Sequence, residues 1–322
     1  MNQIKAAVRL IQKAKTIVIA GHMNPDGDCV GSMLALGLGL KTKGKRVYFL
    51  NQDGIPKKLR SLPGASAVRK TLKAPVDLAI AVDCSKKEML GKIYGVFERA
   101  GKILEIDHHD MRQVFGDQQL IWPHASCVGE IIYVLLDILG VPLDKAIARN
   151  IFTSIIVETN SFRLPNVTPY TFSLCGRLLE TGVDFQKVSE LVYWSKTKED
   201  VLISALALTR CTFLSHNRIV WSILKINDFK KLHAQDEDAD AVANDMLTIK
   251  GVRIAILFRQ KTDTVLRVSL RSKGKINVAR IAENYGGGGH HDVAGCSIPY
   301  RRHQIDSVLS QAKKALARSN YK

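Results

Sequence analysis

Seven residues, HMNPDGD at 22–28, hold one imidazole and two carboxylates: His22, Asp26 and Asp28. They follow the apolar run TIVIA (16–20) after a single glycine, Gly21, and include Pro25 and Gly27. A surface turn accounts for the proline and the glycine, but not for three groups able to ligate a cation. Two further segments have the same makeup. Asp83 closes DLAIAVD (77–83), and Asp107, His108 and His109 close KILEIDHH (102–109). Pooled at one place, these carboxylates repel one another unless a cation neutralises them. Imidazole and carboxylate without thiolate suit Mn, Mg, Fe or Zn. Several carboxylates with two or more histidines can hold two ions about 3.5–4 Å apart, which acidifies a bridging water and clamps phosphoryl oxygens.

The elements that must position these groups are legible as short apolar runs. TIVIA, RVYFL (46–50), DLAIAVD and KILEID (102–107) are rich in β-branched residues, and helical patterns lie around 29–42 and 127–139. Strands alternating with helices predict an α/β fold with a mostly parallel sheet flanked by helices. In such sheets ligands bind at the carboxyl ends of the strands. All three segments are expected there, at one shared site. Residues 142–212 read as consecutive helices, broken at LPNVTP (164–169) and TGVD (181–184). A change to the strand patterns 217–226, 252–260 and 264–272 begins a smaller C-terminal α/β domain. The expected organisation is a catalytic domain at 1–194, a helical linker at 195–211 and a second domain at 212–322. The acidic stretch DEDADAVAND (236–245) reads as a solvated helix start, where acids suit the positive end of the dipole.

The chain has 322 residues, 46% hydrophobic and 24% charged, a globular balance that excludes a disordered or fibrous protein. Lys and Arg outnumber Asp and Glu by 47 to 30, a net +17 that favours an anionic partner such as nucleotide or nucleic acid. Six scattered cysteines without a C-x-x-C pair read as reduced thiols of a cytoplasmic protein, with Cys29 and Cys84 as small buried residues. MNQIKAAVRLIQKAK reads as an amphipathic helix, and VGSMLALGLGL falls short of the ~20 residues of a membrane helix. No membrane partner is expected, and a homodimer is left open.

Four segments, GHMNPDGDCVGS (21–32), AVDCS (81–85), EIDHHD (105–110) and YGGGGHHDVAG (285–295), resemble in the same order the motifs of the DHH phosphoesterase superfamily. The C-terminal half is similar to its DHH-associated domain, and the nearest branch is the bacterial nano-RNase and pAp-phosphatase group. The resemblance implies an active site in a cleft between two domains and two divalent cations, Mn first, with Mg, Fe or Co also compatible. His22, Asp26 and Asp83 would hold one ion, and Asp28, Asp83 and His108 the other. His109 would face the scissile phosphate, and Asp107 would orient the histidine pair. Where the family reads T-D-T-G before S-F-R, this chain reads VETNSFR (157–163). Glu158 therefore stands at the Asp position, as a direct ligand of the second ion or a contact through water, and Asn160 stands at the Gly. Arg163 could face the phosphate. Arg271 and Ser272 of VSLRS (268–272), with Gly288, Gly289 and His290, would bind the far end of the substrate. Four consecutive glycines cost backbone entropy and suggest close approach of a ligand more than packing.

The implied function is metal-dependent hydrolysis of short oligoribonucleotides or nucleotide phosphates: nano-RNA, pAp, or linear or cyclic dinucleotides. The alternatives are an exopolyphosphatase-type enzyme, or a nucleotide-binding regulator weakened in catalysis, for which Glu158 is the only feature.

Overall fold

In the computed structural model, residues 2–110, 112–194, 196–289 and 291–319 are described. They form two compact units, 1–195 and 196–322. In the first unit the elements are α1 (Asn2–Lys13), β1 (Thr16–Gly21), α2 (Gly27–Thr42), β2 (Arg46–Leu50), β3 (Val68–Arg69), β4 (Leu78–Val82), α3 (Tyr94–Phe97), β5 (Lys102–Asp107) and β6 (Gln118–Ile121). Four helices follow, α4 (Val128–Ile138), α5 (Lys145–Glu158), α6 (Pro169–Glu180) and α7 (Phe185–Tyr193). The six strands are all parallel in the order β3-β2-β1-β4-β5-β6.

Both faces of the central strands are covered, so they read as continuous apolar runs without alternation. On one face Ile17 and Ile19 of β1 pack with α1, α2, α4 and α5. On the other, Val18 and Ala20 pack with Leu90, Ile93 and Phe97. Helix α2 is buried along almost its whole length. Its small residues let it lie close to α5: a Cβ at Gly31 would run into the Asn150 carbonyl and sit 3.2 Å from the Ser154 nitrogen. That close approach places Ser154 beside the first turn of α2, which bears Asp28.

The second unit contains α8 (Lys198–Thr209), β7 (Thr212–Leu214), β8 (Ile219–Leu224), α9 (Ile226–Leu232), α10 (Val242–Leu247), β9 (Ile254–Gln260) and β10 (Val265–Ser272), then α11 (Ala279–Glu283), β11 (Gly288–Gly289), β12 (Val293–Pro299) and α12 (Arg302–Ser319). Its sheet runs β11-β12-β10-β9-β8-β7, with only β8 and β9 parallel. One face packs on α11 and α12, the other on α8 and α10. Helix α8, expected as a linker at 195–211, buries Ile203 and Ala207 in this second core.

Other features depart from the sequence reading as well. Strand β6 forms from QQLI, a segment without an apolar run. The acidic stretch at 236–245 is not simply solvated. Asp240 accepts from the fully buried Arg259 guanidinium at 2.7 Å, and Asp236 pairs with Lys261 at 2.9 Å and Arg267 at 3.3 Å. A buried guanidinium needs compensating anions, and these acids supply them. Among the described residues no helix is long and apolar enough to cross a membrane.

Candidate metal centre

The C-terminal ends of β1, β4 and β5 lie side by side and deliver His22, Asp83 and His108–His109 to one edge. His22 follows β1 with its ring turned by a hydrogen bond from Nδ1 to the Met23 carbonyl (2.8 Å), which leaves Nε2 facing inward. Its Nε2 lies 3.5 Å from Asp83 Oδ2 and 3.9 Å from Asp26 Oδ1. Asn51, fully buried at the end of β2, holds this loop by donating to the His22 carbonyl at 2.8 Å. Asp26 caps α2, accepting from the Cys29 amide at 3.0 Å, and remains exposed.

Asp28 is fully buried. Its Oδ1 accepts from Ser154 Oγ (2.6 Å) and Ser32 Oγ (2.9 Å), and its Oδ2 from the Val128 amide (3.0 Å). Burial pushes its carboxyl up to about 7, and the Asp83 charge adds to the rise. Asp83 has left-handed backbone (φ 59°) stabilised by its amide donating to the Ile106 carbonyl at 3.0 Å. For Asp83 burial again opposes charge, but His22, His109 and His108 outweigh it and hold the carboxylate below its ordinary range.

Asp107, also fully buried, organises the histidine pair. Its Oδ1 accepts from the His108 amide (2.7 Å), the His109 amide (3.3 Å) and His109 Nδ1 (2.7 Å). Burial would lower the His109 pKa, but the Asp107 hydrogen bond and the Asp83 charge raise it to about 9. His108 donates from Nδ1 to the Ala125 carbonyl (3.2 Å) and turns Nε2 to within 3.8 Å of both Asp28 Oδ2 and Glu158 Oε1.

Three sets of donor atoms converge, each within 4.8 Å of one another: His22, Cys29 and Asp83; Asp83, His108 and His109; Asp28, His108 and Glu158. Asp83 and His108 each belong to two sets. Two carboxylate oxygens, Asp83 Oδ1 and Asp107 Oδ2, are buried without a hydrogen-bond partner. A buried anionic oxygen left unpaired is costly. Next to inward-facing imidazole nitrogens, these oxygens fit divalent cations. Glu158, the residue out of pattern, is brought to this cluster at the last turn of α5.

Several contributors were not visible beforehand. Cys29 reads as a small core residue and is fully buried, yet its sulfur lies among the donors of His22 and Asp83. Ser32 stands four residues after Asp28, a helical spacing that could have marked it. Ser154 lies 126 residues from its partner and left no such mark.

None of the remaining candidates belongs to these three sets among the described residues. Arg163 is exposed, with its guanidinium 5.9 Å from the Tyr193 ring centroid. In the second unit Arg271 donates from Nε to Asn244 Oδ1 (2.7 Å) and from Nη1 to the Leu270 carbonyl (3.0 Å). Ser272 is buried and donates its hydroxyl to the Ile276 carbonyl at 2.6 Å. His290 lies outside the described residues. Packing explains more of the glycine run than expected. A Cβ at Gly287 would strike the Gly295 carbonyl of β12, and one at Gly289 (φ 142°) the Val293 carbonyl, whereas Gly288 has open space.

Residues 16–155 match the family described as DHH family, N-terminal domain, and residues 221–318 match the DHHA1 domain. The chain belongs to the DHH phosphoesterase superfamily, in the two-domain form with a C-terminal DHHA1 domain. It is 28% identical to the bifunctional oligoribonuclease and PAP phosphatase NrnA of Thermus thermophilus, over 95% of this chain and 91% of that protein. It is 26% identical to NrnA of Bacillus subtilis, over 94% of this chain and 95% of that protein. The crystal structure of an exopolyphosphatase-related protein from Bacteroides fragilis superposes with a TM-score of 0.89 at 22% identity. That match covers 97% of this chain and 95% of the other, and it shows a shared fold.

Proposed function

We propose that this protein is a metal-dependent phosphoesterase that hydrolyses short oligoribonucleotides and nucleotide phosphates such as PAP. What supports this reading above all is the convergence of His22, Asp28, Asp83, His108, His109 and Glu158 at one sheet edge, with Asp83 Oδ1 buried and without a hydrogen-bond partner, 3.6 Å from His109 Nδ1. The NrnA relatives, aligned over nearly their whole length, supply the substrate class. Two divalent cations, Mn in preference to Mg, Fe or Co, would be held by His22, Asp26 and Asp83 on one side and by Asp28, Asp83, His108 and Glu158 on the other. When bound, such ions supply an acidified water and neutralise charge on the phosphoryl oxygens.

The chain's own residues do the rest. Asp107 fixes His109 so that its protonated ring can face a phosphate oxygen, and Ala125 fixes the tautomer of His108. Ser32, Ser154 and the Val128 amide lock the Asp28 carboxylate in one orientation. Arg163, and in the second unit Arg271, Ser272, Gly288, Gly289 and His290, are assigned to substrate binding. A charge-assisted contact from Arg271 to a distal phosphate would suit a short nucleotide.

The test is turnover of pApA, PAP and short-chain polyphosphate by the full chain with Mn or Mg, read by product chromatography. Hydrolysis of the two nucleotides, abolished by chelator, is expected. Faster release of phosphate from polyphosphate would favour an exopolyphosphatase. Tight nucleotide binding without turnover would favour a regulator.

A further inference from the structure

Strand β6 is the edge neighbour of β5, and the chain leaving its C-terminal end walls a cavity of about 430 Å³ on the same sheet edge as the histidine pair. Trp122, Pro123, His124 and Ala125 form one wall, and Thr168 and Tyr170 at the start of α6 form the other. Both walls are tied to the metal centre. The Trp122 amide donates to the Asp107 carbonyl (3.1 Å), and the Ala125 carbonyl accepts from His108 Nδ1 (3.2 Å). On the other side, Asn166 Nδ2 donates to the Ser126 carbonyl (2.9 Å) and the Glu158 carbonyl (3.3 Å). The cavity is therefore flanked by the two segments that bring His108 and Glu158 together. Its size falls in the ~300–1,000 Å³ range of small-molecule sites.

We propose that this cavity seats a nucleobase of the substrate whose phosphate lies at the Asp28–His108–Glu158 group, with the base against Trp122 and Tyr170. The inference rests on the phosphoesterase reading and adds where the base goes. The buried polar group in the cavity, Glu130, already accepts from the Ser126 amide (3.0 Å), Ser126 Oγ (2.6 Å) and Thr171 Oγ1 (2.7 Å). Its carboxylate is committed to positioning the loop before α4 and the start of α6. Recognition then falls to ring faces, which every base presents, so the site demands a base but is indifferent to which one.

The experiment compares equilibrium binding of AMP, UMP and ribose 5-phosphate to the Mn-loaded full chain by calorimetry. Stacking on an aromatic wall predicts that both nucleotides bind roughly ten- to a hundredfold more tightly than ribose 5-phosphate. Trp122→Ala should bring the nucleotides close to ribose 5-phosphate while leaving the latter's affinity in place. Tyr170→Ala, at a side chain already 41% exposed, should do so in part and serves if the Trp122 variant does not fold. Equal binding of AMP and ribose 5-phosphate by the wild type would overturn the proposal. So would wild-type AMP affinity in a folded variant, or equal losses for all three ligands. A failure of the phosphoesterase reading is separate: it appears as absent hydrolysis of pApA, whatever the binding data.

Discussion

Asp83→Asn isolates the charge on which both proposed ion sites depend. The substitution preserves side-chain shape, and asparagine tolerates the left-handed backbone at this position (φ 59°) better than most residues. The amide hydrogen bond to Ile106 is untouched. Only the anionic oxygens facing His22, His108 and His109 are lost. Changes outside the ligand shell cost about 10–100-fold in metal affinity, so losing a ligand shared by two sites should cost at least about a hundredfold. With Mn at about 100 times the wild-type Kd, metal binding stabilises the fold by ~2.7 kcal/mol. A hundredfold weaker Kd leaves ~0.4 kcal/mol at the same concentration. The difference, ~2.3 kcal/mol, corresponds to a Mn-induced rise in Tm smaller by about 5–9 °C for a unit of this size. Thermal unfolding with Mn and with chelator measures it. Because the difference is taken within each variant, altered apo stability cancels. A Mn-induced rise in Asp83→Asn equal to that of the wild type would refute the role of this carboxylate.

Glu158→Gln should weaken Mn binding by about 10–100-fold, while Glu158→Asp, which keeps the charge, should retain most of the affinity. Identical calorimetric titrations for both variants and the wild type would place Glu158 outside the coordination sphere. Glu105, fully buried on β5, pairs with Arg112 and accepts from the Phe115 and Gly116 amides, fastening the chain that follows the histidine pair. Glu105→Gln strands a buried guanidinium and should destabilise the first unit by roughly 3–5 kcal/mol in denaturant unfolding. A loss below about 0.5 kcal/mol would contradict that pairing. In the second unit, burial works to raise the Asp228 pKa, but the two-pronged Arg210 contact (2.6 and 3.0 Å) and the Lys225 amide outweigh it and lower it. A lowered folded pKa contributes stability above the unfolded value, near ~3.9, that is lost as pH falls through the folded value. The Tm gap between wild type and Asp228→Asn should therefore be full at pH 6 and narrow progressively below about pH 4. A gap independent of pH would show that the charge is not involved.

What could be read in the residues was what local chemistry decides. β2 and β5 form over the runs that predicted them, and β1 and β4 within a residue, because each is a short, largely apolar stretch with both faces covered. Strand β6 was missed because QQLI has no apolar run. It exists because β5 offers an open edge and Leu120 fills the core beneath it. The metal-centre candidates were legible because three of the loops leave neighbouring strands, so motif order in the chain becomes proximity at the sheet edge. Pairings between distant segments were not legible. Ser154 meets Asp28 only because Gly31 lets α5 lie against α2, and Asp240 meets Arg259 only once β9 has buried that arginine.

The glycine run carries the same lesson in reverse. Its composition pointed to a ligand, yet Gly287 and Gly289 are required by the backbone of β12, and a required residue says nothing about substrate. Gly286 and Gly288 both face open space, but Gly286 has a left-handed backbone (φ 70°), so Gly288 is the one at which a side chain would be tolerated. Its identity therefore bears on whether a phosphate approaches the run. The cavity beside β6 inverts this once more. Trp122, Tyr170 and Asn166 stand in no motif, although the fold ties their segments by hydrogen bonds to Asp107, His108 and Glu158. Chemistry at the phosphate can be read from charged residues repeated at strand ends. Recognition of the base rests on apolar walls, which look like ordinary surface until the fold makes them concave.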